Sequence, residues 1–515
     1  MQKVILIIMD GWGIAPPSKG NIISKANIPN IENIEKYYPA AILHASGINV
    51  GVPWWEEGNS EVGHLTIGCG QIIYQYLPRI ISSIQTGSFQ KINAFLGANE
   101  HVKKEKSRLH LMGLVSSGAI HSYIDHLYAL LEFCKNKKIQ DVYLHIFTDG
   151  RDSLQTEGKV FIQNLKQRID IQQTGKIATI GGRSFGMDRN KNWERTQKAY
   201  NCITQGKGEK AQDPIAYLKA SYNQKITDEY IEPSVVDPAG IIKNNDAVIF
   251  FNFREDRARQ ITSALIKDDF KEFPRKKIKN LYFAGMTKYL EDTTMNVAFQ
   301  PPKIEKTLGK IISDHGFRQF RIAETEKYAH VTYFFNGLKE KQFLGEERTI
   351  IPSIGGPHYD RFPKMQATKI KEKVIKEVKQ GKYHFILINF ANGDMIGHTG
   401  NMEAAKKAVE EVDECVGEIA QAAKGKYITM ITSDHGNVEE MIDRKGQIIS
   451  KHSANPVPFY LIDPSLKKSI KRDKALNRSG KANGSLFDIA PTILEYLEIP
   501  KPKEMTGLSL TKNII

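Results

Sequence analysis

Three aspartates, three histidines and one serine occupy positions from which a chain can transfer a phosphoryl group. Asp10 ends the apolar run 3–9 and opens Asp10-Gly11-Trp12-Gly13. Asp394 and His398 lie in NGDMIGH, just after the apolar run 385–390, and Asp434 and His435 lie in SDHGN, after 427–433. His452 follows in KHS. Mixed oxygen and nitrogen donors of this kind suit two divalent ions such as zinc or manganese. Asp394 and His398 are four apart, so one helical turn brings them to the same side, and adjacent Asp434 and His435 can serve one ion or bridge toward two. A histidine alone is more often structural than ligating; six such groups beyond buried strands outweigh that reading. The serine is Ser60, in Gly58-Asn59-Ser60-Glu61-Val62-Gly63-His64. A glycine-flanked turn opening a helix offers backbone N–H groups and a positive helix end to an anion, a seat for a phosphorylated serine. The plainer alternative is an N-cap serine in a loop. Two cations beside a serine would lower its pKa and neutralise a transferring phosphoryl group.

A second set of polar clusters follows other strands: residues 116–121, Asp149-Gly150-Arg151-Asp152, Gly181-Gly182-Arg183, Met187-Asp188-Arg189 and Arg254-Glu255-Asp256-Arg257. One arginine after a strand is ordinarily a surface ion pair. Five, Arg151, Arg183, Arg189, Arg254 and Arg257, read as an anion clamp, because guanidinium forks match phosphate and carboxylate oxygens in pairs.

The elements that must hold these groups alternate between strand and helix. Run 3–9 is continuous and apolar, as a strand buried on both faces of a parallel sheet should be, and ligands of open α/β sheets sit at the carboxyl ends of strands. Strands are expected at 110–115, 142–147, 177–180, 247–252 and 281–286, with helices at 123–134 and 193–204. Further strands are expected at 317–323, 385–390 and 427–433, with helices at 369–379 and 403–423. The fold class is α/β, in two domains. Residues 1–75 and 305–515 form one domain carrying the metal donors and the serine; residues 80–300 form a second α/β domain inserted into it, with a return linker near 300–306.

At 515 residues the chain is long for one core. No apolar run approaches the ~18 residues of a membrane span, and the cytoplasm is the expected compartment. Four cysteines without CxxC spacing exclude a disulfide framework. The formal net charge of +14 comes from scattered lysines with no nucleic-acid motif, so an anionic small substrate or plain solubility is the better reading.

MDGWG, GNSEVGH, HSYIDH, DGRD, MDRNKNWER, FFNFREDRARQ, RIAETEKYAHVT, DMIGH, SDHGN and HSANPVP occur in that order along the whole chain. In these it resembles the cofactor-independent phosphoglycerate mutases of the alkaline phosphatase superfamily. The resemblance implies interconversion of 2- and 3-phosphoglycerate without added bisphosphoglycerate, through a phosphoserine at Ser60 and two manganese ions. One ion would be held by Asp394, His398 and His452, the other by Asp10, Ser60, Asp434 and His435. His121, Arg151, Asp152, Arg183, Arg189, Arg254, Arg257 and Lys327 would bind substrate, Asp152 exchanging protons with the glycerate oxygens and Lys327 stabilising phosphoryl charge. A monomer is expected, and because the clamp and Ser60 lie on separate domains, substrate is expected to close them by bending near 76–79 and 300–306. Ser117, Gly393 and residues 355–363 depart from the family pattern, none of them at an assigned position. A phosphatase, a phosphopentomutase of the same superfamily or a basic nucleic-acid-binding protein are the alternatives.

Overall fold

A computed structural model describes residues 2–466 and 482–512. It divides into two compact units, Met1–Gln75 with Pro302–Ile515, and Tyr76–Pro301. Among the described residues no helix is long and apolar enough to cross a membrane.

The first unit is built on an eight-stranded sheet ordered Glu346–Ile351, Gln319–Glu324, Phe385–Phe390, Val4–Met9, Ile428–Thr432, Val457–Ile462, Ala40–His44, Gly484–Ser485. Val4–Met9 pairs in parallel with Phe385–Phe390 on one side and Ile428–Thr432 on the other. Its six residues are all buried, and they alternate between two cores because successive side chains of a strand point to opposite faces. Val4, Leu6 and Ile8 pack on one face of the sheet with Leu387 and Met430; Ile5, Ile7 and Met9 pack on the other with Ile386 and the helix Met402–Ala423. Each such side chain contributes about 1.5–3 kcal/mol when fully buried, so the strand that carries Asp10 is anchored from both sides.

The second unit holds another eight-stranded sheet, ordered Asn296–Val297, Tyr282–Gly285, Ala247–Phe250, Leu109–Val115, Val142–Thr148, Lys176–Gly182, Ser234–Val235, Glu209–Lys210. Its pairs are parallel except that between Lys176–Gly182 and Ser234–Val235. The stretch 76–79, expected as a hinge, is the first turn of helix Tyr76–Gln85. Pro78 is tolerated there because the earliest N–H groups of a helix have no intrahelical acceptor.

Candidate functional site

Strand register sets the depth of the first centre. Ile8 lies opposite both Asn389 and Thr432, so Asp10 emerges level with Asp434 and just before the turn into helix Asn392–Gly397. The chain then turns at Gly11, whose φ of +76° falls in the left-handed region; a Cβ there would come within 2.8 Å of the Asp394 backbone. The Asp394 N–H donates to the Asp10 carbonyl at 3.0 Å, fastening the two turns together.

Ser60 is brought in by its helix, Ser60–Cys69. The cap is Asn59, whose side chain accepts from the Val62 N–H at 3.1 Å, so Ser60 is the first helical residue and not the cap. Its Oγ lies 2.6 Å from Lys327 Nζ, 2.9 Å from His435 Nε2 and 3.2 Å from Asp10 Oδ1. Lys327 is buried and also donates to Asp10 Oδ1 at 2.8 Å and Asp394 Oδ2 at 2.7 Å.

The histidines close the centre. His398 Nδ1 faces the Ser450 carbonyl at 2.8 Å, and His452 Nδ1 faces the Gly58 carbonyl at 2.9 Å. A carbonyl only accepts, so each Nδ1 carries the proton and each Nε2 is turned inward. The two Nε2 atoms stand 3.0 Å apart, at 3.2 and 3.1 Å from Asp394 Oδ1. Two facing nitrogen lone pairs beside a carboxylate call for a proton or a cation between them, and backbone-anchored imidazoles are how ligating histidines are oriented.

Electrostatics agree. Three carboxylates, Asp10, Asp394 and Asp434, oppose the single Lys327 in a nearly water-free volume. Burial would lower the Lys327 pKa, but the Asp10, Asp394 and Asp434 charges hold it above the usual lysine value. His435 is likewise opposed by burial, yet Asp434 and Asp10 push it up to about 10. Burial would raise Asp394 and Asp434, and Lys327 and the neighbouring histidines hold both well below the carboxylate range. Protonated histidine is thus the protein's own means of balancing excess negative charge. Asp434 Oδ2 makes no well-aligned hydrogen bond among the described residues, although His64 Nδ1, which also faces the Ser60 carbonyl, stands 3.2 Å from it. Donor atoms of Asp394, His435 and His452 lie within 4.8 Å of one another, as do those of Asp10, Asp434 and His435. The set fits divalent cations, with His435 in reach of both groups.

The second unit gathers the arginine set. Arg183 Nη1 lies 2.5 Å from both Asp149 Oδ1 and Asp152 Oδ2. Arg189 reaches Asp256 Oδ2 at 2.6 Å, Arg254 reaches Asp256 Oδ1 at 3.3 Å, and Arg151 reaches Glu229 at 3.4 Å. Arg257 donates to the Met187 carbonyl at 3.2 Å. His121 lies 3.4 Å from Asp256 and 3.9 Å from Asp152; burial and then the Arg183 charge lower its pKa to about 4, so it is neutral at ordinary pH.

Sequence reasoning passed over the groups that hold these ones in place. Asn389 Nδ2 donates to Asp10 Oδ2 at 2.8 Å, and His64 Nδ1 lies 2.9 Å from the Ser60 carbonyl. Asn437 Nδ2 donates to Asp394 Oδ1 at 2.9 Å. His64 and Asn437 lie inside the recognised GNSEVGH and SDHGN stretches; Asn389 is signalled only as an amide inside an otherwise apolar buried strand.

A serine at a helix start faces a buried carboxylate and imidazole centre, suited to divalent metal, at the carboxyl edge of an α/β sheet, and the fold is alkaline-phosphatase-like. Residues 80–291 match the family described as BPG-independent PGAM N-terminus, and residues 333–452 the type I phosphodiesterase / nucleotide pyrophosphatase family. A 2,3-bisphosphoglycerate-independent phosphoglycerate mutase of Clostridium botulinum is 47% identical over 99% of this chain and 99% of its own. One from Methanosarcina barkeri is 46% identical over 99% of this chain and 98% of its own. The crystal structure of Leishmania mexicana phosphoglycerate mutase at low cobalt concentration matches with a TM-score of 0.58 at 28% identity, covering 98% of this chain and 97% of that one. The chain belongs to the 2,3-bisphosphoglycerate-independent phosphoglycerate mutase family.

Proposed function

We propose that the chain is an isomerase that interconverts 2-phosphoglycerate and 3-phosphoglycerate by two phosphoryl transfers through Ser60. The observation that carries the reading is the placement of Ser60 Oγ, within 2.6–3.2 Å of Lys327, His435 and Asp10. Asp394, His398 and His452 would hold one divalent cation, and Asp10, Ser60, Asp434 and His435 a second, manganese in both cases. When bound, these ions supply Lewis acidity that favours the ionised serine and neutralises phosphoryl charge.

The rest of the chemistry belongs to the chain. Ser60 Oγ attacks the substrate phosphorus, the P–O bond to glycerate breaks, and the phosphoryl group stays on the serine. Lys327 Nζ, which lies 2.6 Å from Ser60 Oγ, supports charge on the transferring oxygens. Asp152 gives a proton to the departing glycerate oxygen and later takes one from the other hydroxyl, ending as it began. Arg183, Arg189, Arg254 and Arg257 hold the substrate anion, which replaces the carboxylate partners of the first three and the Met187 carbonyl contact of Arg257. Glycerate is retained, turns, and takes the phosphoryl group back on its second hydroxyl.

The test is phosphorus NMR of 3-phosphoglycerate with the enzyme and manganese, with bisphosphoglycerate left out. Growth of the 2-phosphoglycerate signal to a stable ratio is expected. Release of inorganic phosphate instead would make the protein a phosphatase and overturn the reading.

A further inference from the structure

Glu439 follows the SDHGN stretch by two residues and is 1% exposed. Its carboxylate meets four donors on three different loops. Oε2 accepts from the Gly13 N–H at 3.0 Å and the Asn437 N–H at 2.8 Å. Oε1 accepts from the Ser453 hydroxyl and from Asn455 Nδ2 at 3.0 Å. Gly13 lies three residues after Asp10, Asn437 two after His435, and Ser453 directly after His452. The same loops are stitched further by a bridge between Gly436 and Ser453, and by Asn437 reaching Asp394 Oδ1. Room has been left for the carboxylate: a Cβ at Gly13 or at Gly436 would run into it.

Four donors saturate one buried carboxylate and leave it little freedom to move. A residue that only filled space would not need both oxygens matched from three loops. We propose that Glu439 is a positioning residue that sets the spacing of Asp10, His435 and His452, and so the affinity of the centre for divalent metal. It touches neither substrate nor ion; it acts through the loops that bear the ligands. The inference rests on the metal reading above and assigns the residue that tunes it.

Manganese binding to the full-length metal-free protein, read from the free-ion EPR signal, tests it. Glu439→Ala should weaken binding by about 10–100-fold, the range found when groups supporting ligands are removed. Glu439→Gln should weaken it less: the amide oxygen can still face the two backbone N–H groups, while the Ser453 hydroxyl turns to accept and Asn455 flips. Ser453→Ala removes one of the four contacts of the carboxylate, together with the acceptor of the Asn455 N–H, and should weaken binding by less than Glu439→Ala while remaining folded, which keeps the test open if the larger variant does not fold. Activity of these variants should return as manganese is raised, with the KM for 3-phosphoglycerate unchanged. Wild-type manganese affinity in Glu439→Ala or Ser453→Ala, with only a lower Tm of the metal-free protein, would overturn the inference alone. Failure of the unmodified protein to bind manganese would overturn the metal reading along with it.

Discussion

The two polar centres resolve their charge in opposite ways. In the first unit three buried carboxylates face one lysine, and the remaining neutralisation falls to imidazoles that would otherwise be neutral. In the second unit four guanidinium groups face Asp149, Asp152, Glu229 and Asp256, and that of Arg257 meets the Met187 carbonyl, so most charge is already paired. The first has a deficit of cations fixed at strand ends. The second has arginines on loops, several of them half exposed, whose carboxylate partners an incoming anion can replace. A rigid centre short of positive charge is suited to metal and chemistry; a balanced, looser one is suited to capturing and turning a substrate.

The largest blow to this division is removal of the nucleophile. Ser60→Ala should lower isomerisation by more than about 10⁴-fold while leaving Tm within a few degrees of the parent, because the loss of a covalent step cannot be shared by its neighbours. A variant that kept a tenth of the turnover would place the chemistry elsewhere.

Metal removal should act on the first centre alone. Chelation should abolish activity and added manganese restore it, while intrinsic fluorescence reports an intact fold. The sign with pH follows from His435 and His398. Both have raised pKa values in the metal-free protein, and His435, near 10, carries at neutral pH a proton that a metal must displace to bind. Affinity for manganese should therefore rise with pH, by about tenfold per unit for each proton displaced. Equal affinities at pH 6.5 and 8.5 would break the argument.

Substitutions in the second centre should cost less and show a different signature. Arg257→Ala should lower kcat/KM by about 10–100-fold, the equivalent of one charge-assisted hydrogen bond at about 1.5–3 kcal/mol. Arg254, half exposed and already paired with Asp256, should cost less. Manganese affinity, measured by titration, should not move in either. If it did, the two centres would not be separable.

Much of the first centre was legible in sequence because its strands are buried on both faces and so read as unbroken apolar runs ending in chemistry: Met9 into Asp10, Phe390 into Asn392–Asp394, Thr432 into Asp434. The strands Glu346–Ile351, Val457–Ile462 and Ala40–His44 were not. The first mixes Glu and Arg into an outer strand, the second carries Pro458, and the third is too short to show a period. The arginines were legible as a type, but their partner Asp256 was not assigned a role, since one carboxylate in REDR does not reveal which guanidinium it will meet. Glu439 was invisible for the same reason. Its partners at 13, 437 and 453 are unrelated in sequence and become neighbours only when three strand ends meet on one edge.

The smallest expected effect separates the two units by the size of their response to acid. His126, on the helix that follows the His121 loop, is wholly buried, and among the described residues neither ring nitrogen has a hydrogen-bond partner. Burial lowers its pKa to about 3. Unfolded, it would titrate near 6.5. The unfolded chain therefore takes up a proton below pH 6.5 that the folded chain refuses, so stability is full above 6.5 and falls as the pH drops toward 3. The slope is about 1.4 kcal/mol per unit, or about 2 kcal/mol by pH 5. His121, also lowered, adds in the same direction. His398 and His435 in the metal-free first unit are raised instead, so their contribution is fully present below 6.5 and is lost as pH rises through their folded values, although His330 there, lowered to about 4 chiefly by burial, works against them. Hydrogen exchange on metal-free protein at pH 7.5 and pH 5, corrected for intrinsic rates, should show protection in Leu109–Val115 and Ile124–Asn136 falling relative to Val4–Met9 and Phe385–Phe390. His126→Phe should flatten that difference, since the ring volume is kept and the titrating group is gone. Parallel loss in both units, or an unchanged difference in the variant, would mean that buried histidine does not set the acid response of the second unit.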